Sequence, residues 1–387
     1  MPAPDTDARE EIARYVLSYG IEPYDLALEP DLDTLPDSAL LSADLGIPFP
    51  AGLAPTPKPI VPPPATDAPL PAADVVVITW TVAEQNALCD VFTPKYGRAR
   101  WYRYDRNYAQ YEPKIRAGAP ARNAKRLGSY FVTQIGSHTV LCIKSELHLN
   151  QDWIATGQGT ATLPVKDFFT QIITEVKPKV FLTIGTSGSV YEDFTLGDVV
   201  VTRGAKFRCH REFRNEPFNN VAYKSDWEIP TTQFATAEGL MQQFAADLVE
   251  PPVGPPTARF SPSGLAQTPA NTPKIHRDDG TQMPAFHPIL TTDYFEYGTT
   301  TNHLDREGAA VEMGDAVLGM VCSALDTPPR WAVVRNMSDP LINGDLPTRA
   351  YHINEQTMWA VGYYTGYGYY TSVTGALATW AIIAGLP

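Results

Sequence analysis

The chain has 387 residues and a formal net charge of −13, a balance that disfavours a polyanionic partner such as DNA or RNA. Its hydrophobic fraction of 44% is that of a globular protein with a sizeable core, built as one large domain with additions or as two domains. No apolar run is long enough to span a bilayer, the last of them (375–385) being too short and mixed.

The opening Met-Pro-Ala-Pro-Asp-Thr-Asp carries neither the basic nor the apolar region of a secretory signal, so none is expected. Residues 1–46 predict an N-terminal helical extension with one helix, Asp7 to Tyr19, capped within Asp5 to Asp7. Residues 47–73 are dense in proline, including Pro62-Pro-Pro64, and read as an extended linker or a strap over the surface. The main domain is expected over 74–387, with an insertion at about 205–287. Val75 to Thr79 predicts a strand and Ala83 to Val91 a short helix. Tyr96 to Tyr111 mixes five tyrosines with four arginines; acidity argues against base stacking, leaving a lid, a subunit contact or, best, a plain surface loop. Phe131 to Ile135 and His138 to Lys144 form an expected hairpin around Gly136-Ser137, and Thr162 to Val176 an amphipathic helix.

The run Val180-Phe-Leu-Thr-Ile-Gly-Thr-Ser-Gly-Ser189 reads as a buried strand closed by a turn of Gly and small hydroxyl residues, with Val199 to Thr202 the next strand. Thr186 and Ser187 then offer hydroxyls and amides at the strand's carboxyl end, where open α/β sheets bind ligands. Further on, Thr232 to Leu248 predicts a helix and Pro251 to Gln282 an irregular stretch. Ala309 to Met313, Asp315 to Leu325 and Trp331 to Met337 predict strand, helix and strand. The chain from Asn354 predicts a helical region interrupted near Gly362 to Gly368. The alternation argues for an α/β fold with a mixed sheet. Cys89, Cys142, Cys209 and Cys322 are scattered, form no CxxC pair and pair with no histidine at ligand spacing. No zinc site is readable, and a reducing, cytoplasmic compartment fits best.

Five segments in order carry a resemblance: Val75 to Leu88 with Glu84 at a strand–helix junction, the Gly-rich run, Ile289 to Gly298, Ala309 to Gly319, and Trp331-Ala-Val-Val-Arg-Asn-Met-Ser-Asp339. Together they resemble the nucleoside phosphorylase/nucleosidase superfamily, closest to its methylthioadenosine/S-adenosylhomocysteine nucleosidase branch. Gly157-Gln-Gly159 resembles that family's Gly-x-Gly segment. The resemblance covers roughly 74–204 and 288–385. It implies a three-layer α/β/α sandwich around a distorted mixed β-sheet, a purine nucleoside substrate and cleavage of its N-glycosidic bond. It implies no metal or organic cofactor, and self-association into a homo-oligomer, for which the tyrosine run 363–370 would serve as a contact unless it packs the last helix on the core.

By the same resemblance Asp339 is the acid that protonates the purine, oriented by Ser338, and Glu84 activates water, held with Arg335. Thr186, with Ser187 and Gly188, touches water, phosphate or sugar. Phe295 stacks on the base, Glu296 presents backbone groups to its edge, and Asp293 is a second purine-side carboxylate or a loop cap. Taken alone, Ser338-Asp339 reads equally as a cap, Glu84 as a surface glutamate, Arg335 as a salt-bridge partner and Phe295 as a core residue. The chain departs from the family at Met313-Gly314, where a ribose-clamping glutamate is usual; Asp315 and Glu312 are the candidate replacements. Thr183 stands where the phosphorylases carry a phosphate-binding arginine, and Glu84 would repel phosphate. Hydrolysis is therefore expected, with phosphorolysis as the second reading and a non-catalytic nucleoside-binding protein as the third.

Overall fold

A computed structural model describes residues 45–149, 158–248, 272–346 and 355–387. The helix expected over Asp7 to Tyr19 lies outside them, as do Gly157 of the Gly-x-Gly segment and residues 251–271 of the irregular stretch. In chain order the elements are β1 (Thr56–Pro57), β2 (Val75–Thr79), α1 (Val82–Phe92), β3 (Tyr102–Tyr104), α2 (Tyr108–Tyr111), α3 (Pro120–Ala124), β4 (Gly128–Ile135) and β5 (His138–Ser145). Then come α4 (Pro164–Val176), β6 (Val180–Ser189), β7 (Val199–Thr202), β8 (Gly204–Phe207), β9 (Ala222–Lys224) and α5 (Phe234–Met241). The last are β10 (Ile275–Arg277), β11 (Ile289–Thr291), β12 (Ala310–Glu312), α6 (Asp315–Ser323), β13 (Arg330–Asp339) and α7 (Glu355–Ala384).

The central strands are apolar on both faces because both are covered. Side chains alternate across a strand, and here each set enters a different core. Val76 and Ile78 of β2, Phe181 of β6, and Trp331 and Val333 of β13 pack with Phe168, Phe169 and Ile172 of α4 and Val317 and Leu318 of α6. Val75, Val77, Leu182, Ile184, Ala332 and Val334 point the other way, against Leu88 and Phe92 of α1, Leu240 of α5, and Leu377 and Trp380 of α7. This is the expected α/β/α sandwich around a mixed sheet.

Strand β6 is the hub. Along one edge it pairs parallel with β13, from Val180 opposite Arg330 to Gly188 opposite Asp339. Its other edge is shared. Parallel β2 covers Val180 to Thr183, and antiparallel β12 covers Gly188 and Ser189. Between them, residues 184–187 have no strand partner on that edge among the described residues, and the sheet parts there. The Gly-rich segment is therefore strand rather than the expected turn. Its glycines serve close approach: a Cβ on Gly188 would sit 2.7 Å from Asp339 Oδ2 and 2.8 Å from Val311 Cγ2.

Three other expectations are corrected. Tyr96 to Tyr111 is not a plain surface loop, for β3 pairs with β4 and Trp101, Tyr104 and Tyr111 are buried. Residues 275–277, expected irregular, form β10 parallel to β7. Helix α7 runs unbroken through Gly362, Gly366 and Gly368. Glycine costs only about 1 kcal/mol in a helix, and Trp359, Tyr363 and Tyr367 bury their rings with Tyr297 and Ile342 in compensation. The proline-rich stretch is a strap: β1 pairs with β4, the Ile60 amide donates to the Tyr102 hydroxyl (2.7 Å), and Leu70 is buried. All four cysteines are buried free thiols. Among the described residues no helix is long and apolar enough to cross a membrane, and no cluster of His, Cys, Asp and Glu is suited to a metal.

Candidate active site

A cavity of about 170 Å³ opens where the sheet parts. Glu84 reaches it from the start of α1. The chain leaves β2, turns at Trp80-Thr81, and enters the helix through a reciprocal cap, in which the Glu84 amide donates to Thr81 Oγ1 (3.3 Å) and the Thr81 amide donates back to Glu84 Oε2 (2.9 Å). Oε2 also accepts from the Trp80 amide (3.0 Å) and Thr79 Oγ1 (2.6 Å). Oε1 spans the gap in the sheet and accepts from the amide and hydroxyl of Thr186, both at 2.8 Å. The carboxylate thus stands in for the strand partner that β6 lacks. Burial pushes the Glu84 carboxyl up, but the Arg335 guanidinium and the hydrogen bonds from Thr186, Thr79 and Thr81 outweigh it and hold it below its ordinary value. Glu84 is ionised.

Asp339 lines the same cavity from the end of β13. A bulge between Met337 and Asp339 shifts the register and sets Asp339 opposite Gly188. Its Oδ1 accepts from Ser338 Oγ (3.0 Å), while Oδ2 is buried with no hydrogen-bond partner among the described residues. Burial dominates, opposed weakly by Ser338, and the carboxyl is pushed up to about 7. The two acids of one cavity are therefore driven apart, one ionised and one holding its proton near neutrality.

Arg335 sits between Glu84 and the floor. Its Nε and Nη2 grip Asp315 (2.7 and 2.6 Å), Nη2 also reaches Glu312 Oε2 (3.2 Å), and Nη1 donates to the Thr186 carbonyl (3.1 Å). The Trp80 ring covers the guanidinium at 5.1 Å. Burial works against the Arg335 charge, but Asp315 and Glu312 overcome it and keep the group protonated. Glu312 accepts from Thr291 Oγ1 and from the Gly314 and Asp315 amides. Burial and the neighbouring Asp315 push its carboxyl up to about 8.

Of the residues singled out in the sequence, Glu84, Thr186, Ser187, Gly188, Phe295, Glu296, Glu312, Met313, Arg335 and Asp339 line this one cavity. Asp315 and Ser338 do not; they stand behind Arg335 and Asp339. Asp315 spends both oxygens on Arg335, so it has none to offer in place of the residue missing at Gly314. Glu296 does more than expose its backbone, since its carboxylate pairs with Arg208. Asp293 is the loop cap: it accepts from the amides of His210, Arg211 and Phe213. Sequence reasoning did not assign Trp80, Thr81, His148, Thr292, Val311 and Tyr364, which complete the lining. The T-x-x-E spacing of Thr81 and Glu84 was a readable signal. His148 comes from a segment with no local motif, and Tyr364 from the tyrosine run expected to serve as a subunit contact or to pack the last helix.

The family model of the phosphorylase superfamily matches residues 106–356. No curated protein matches in sequence. Among solved structures, a 5′-methylthioadenosine/S-adenosylhomocysteine nucleosidase from Neisseria meningitidis is similar over 81% of this chain and 100% of its own, at 12% identity and a TM-score of 0.43. A futalosine hydrolase of Helicobacter pylori is similar over 81% of this chain and 97% of its own (11% identity, TM-score 0.44). The corresponding figures for a methylthioadenosine/S-adenosylhomocysteine nucleosidase of Campylobacter jejuni are 81% and 100% (14%, 0.41).

Proposed function

The chain belongs to the phosphorylase superfamily, and from that premise we propose that it hydrolyses the N-glycosidic bond of a purine nucleoside. What carries the reading is the pair of acids in one cavity: Asp339, with a buried carboxyl oxygen that has no partner among the described residues and a proton held to about pH 7, and Glu84 held ionised. Breaking the bond from sugar C1′ to the base leaves positive charge on the sugar and negative charge on the departing ring. Asp339 donates its proton to a ring nitrogen of the leaving base. Glu84 takes a proton from a water that attacks C1′ from the other face. The logic is that of acid and base on opposite sides of a glycosidic bond.

The remaining lining suits these steps. Phe295 offers a ring face to the base, and Trp80, Val311 and Met313 make apolar wall around the sugar end. Arg335 steadies the water and the Thr186 segment. Water is preferred to phosphate because Arg335 is the sole Lys or Arg in the lining among the described residues, and its charge is already matched by Asp315. A phosphate dianion would find no free cation beside the Glu84 carboxylate. A homo-oligomer in the cytoplasm fits the family resemblance. The test is a panel of purine nucleosides incubated with and without phosphate, with the released base and sugar identified. Free base and free sugar, unaffected by phosphate, are expected. Sugar 1-phosphate would establish phosphorolysis, and tight binding without turnover a non-catalytic protein.

A further inference from the structure

We propose that the Thr186 hydroxyl relays the proton from the attacking water to Glu84, an inference that rests on the nucleosidase reading above. A carboxylate offers about four lone-pair positions. Glu84 already accepts five hydrogen bonds, from Thr79 Oγ1 and the Trp80 and Thr81 amides on Oε2 and from the Thr186 amide and hydroxyl on Oε1. A water cannot add itself to that set without displacing a donor. Three of the five donors are backbone amides, which do not hand on a proton. Thr79 is fully buried and does not line the cavity. Thr186 remains. It lines the cavity, its hydroxyl donates to Oε1 over 2.8 Å, and nothing among the described residues donates to its own oxygen. A hydroxyl that has donated one hydrogen bond still has two lone pairs to accept with.

The step balances as follows. The water oxygen bonds to C1′ while one of its protons passes to Thr186 Oγ1, and the Thr186 proton passes to Glu84 Oε1. The bond from C1′ to the base breaks, and its electron pair leaves with the ring, which receives the Asp339 proton. The products are the free base and a sugar bearing a C1′ hydroxyl. Thr186 ends as it began, Glu84 is protonated and Asp339 ionised. A proton exchange between the two acids through solvent resets the site.

The test compares Thr186→Val, Thr186→Ala, Thr186→Ser and Glu84→Gln in the full chain, on the purine nucleoside that the unaltered protein cleaves fastest. Valine fills the threonine's space without a hydroxyl. Its kcat is expected to fall at least about a hundredfold, the size of a general-base contribution, with KM little changed. Serine restores most of the rate. Alanine falls between valine and serine, because the methyl it removes leaves room for a water that can take the hydroxyl's part. A merely structural threonine would not produce this order, in which the smaller, less well packed alanine outperforms valine. Valine or alanine variants within about threefold of the unaltered kcat, beside an inactive Glu84→Gln, overturn the relay and leave Glu84 as a direct base. Should Thr186→Val fail to fold, an alanine variant at least tenfold slower than serine supports the relay, and one equal to serine refutes it. Full activity of Glu84→Gln removes base and relay together, and an inert unaltered protein refutes the nucleosidase reading itself.

Discussion

Replacing Asp339 by Asn separates catalysis from stability and tests the site's electrostatics directly. The carboxyl moves from an ordinary value of 3.8 to about 7 on folding, a rise of roughly 3 pH units, and each unit is worth about 1.4 kcal/mol. The sign follows from linkage. Below pH 3.8 the group is neutral in both states and costs nothing. As pH rises the unfolded chain ionises first, so stability falls until the folded group also ionises near pH 7. The full cost above pH 7 is therefore about 4 kcal/mol, and about 3 kcal/mol of it accrues between pH 5 and pH 8. Asparagine does not titrate, and its carbonyl can still accept from Ser338. The stability of Asp339→Asn relative to the unaltered protein is thus expected to improve by about 3 kcal/mol between pH 5 and pH 8, read from urea unfolding at both values. The same variant is expected to lose at least about a hundredfold in kcat. A stability difference that does not change with pH, or a rate within tenfold of the original, would refute the account of Asp339 as a buried proton donor.

Four further outcomes are expected. Glu84→Gln lowers kcat at least about a hundredfold; in the unaltered protein kcat rises about twofold from pH 7 to pH 6 as Asp339 becomes fully protonated, levels off to pH 5, where Glu84 stays ionised, and falls on the alkaline side as Asp339 loses its proton, measured as a pH–rate profile. Arg335→Met leaves Asp315 buried without its cation and costs about 3–5 kcal/mol in urea unfolding near neutral pH. Gly188→Ala drives a methyl against Asp339 Oδ2 and Val311, which costs about 1–3 kcal/mol and disturbs turnover; unchanged stability would mean that β12 and β13 can draw apart there.

The largely apolar, β-branched runs 75–79, 180–184 and 331–334 determined the central strands by themselves, because a strand covered on both faces leaves that composition in the sequence. The junction Thr81 to Glu84 and the terminal Ser338-Asp339 were likewise legible, since caps and strand ends have local signatures. What the sequence did not carry was pairing. That Gly185 to Ser189 remains strand depends on β13 lying beside it and β12 meeting its end, contacts made by residues more than a hundred positions away. The unbroken α7 and the burial of the 96–111 tyrosines rest likewise on distant partners. Glu84 alone reads equally as a surface helix residue. Only the parting of the sheet between β2 and β12 turns it to Thr186, fixes its charge beside Arg335, and brings it into one cavity with Asp339. Local sequence sets which side chains are available at strand ends. The energies that ionise one acid and protonate the other come from burial and neighbouring charge, and those exist only once the chain has closed around them.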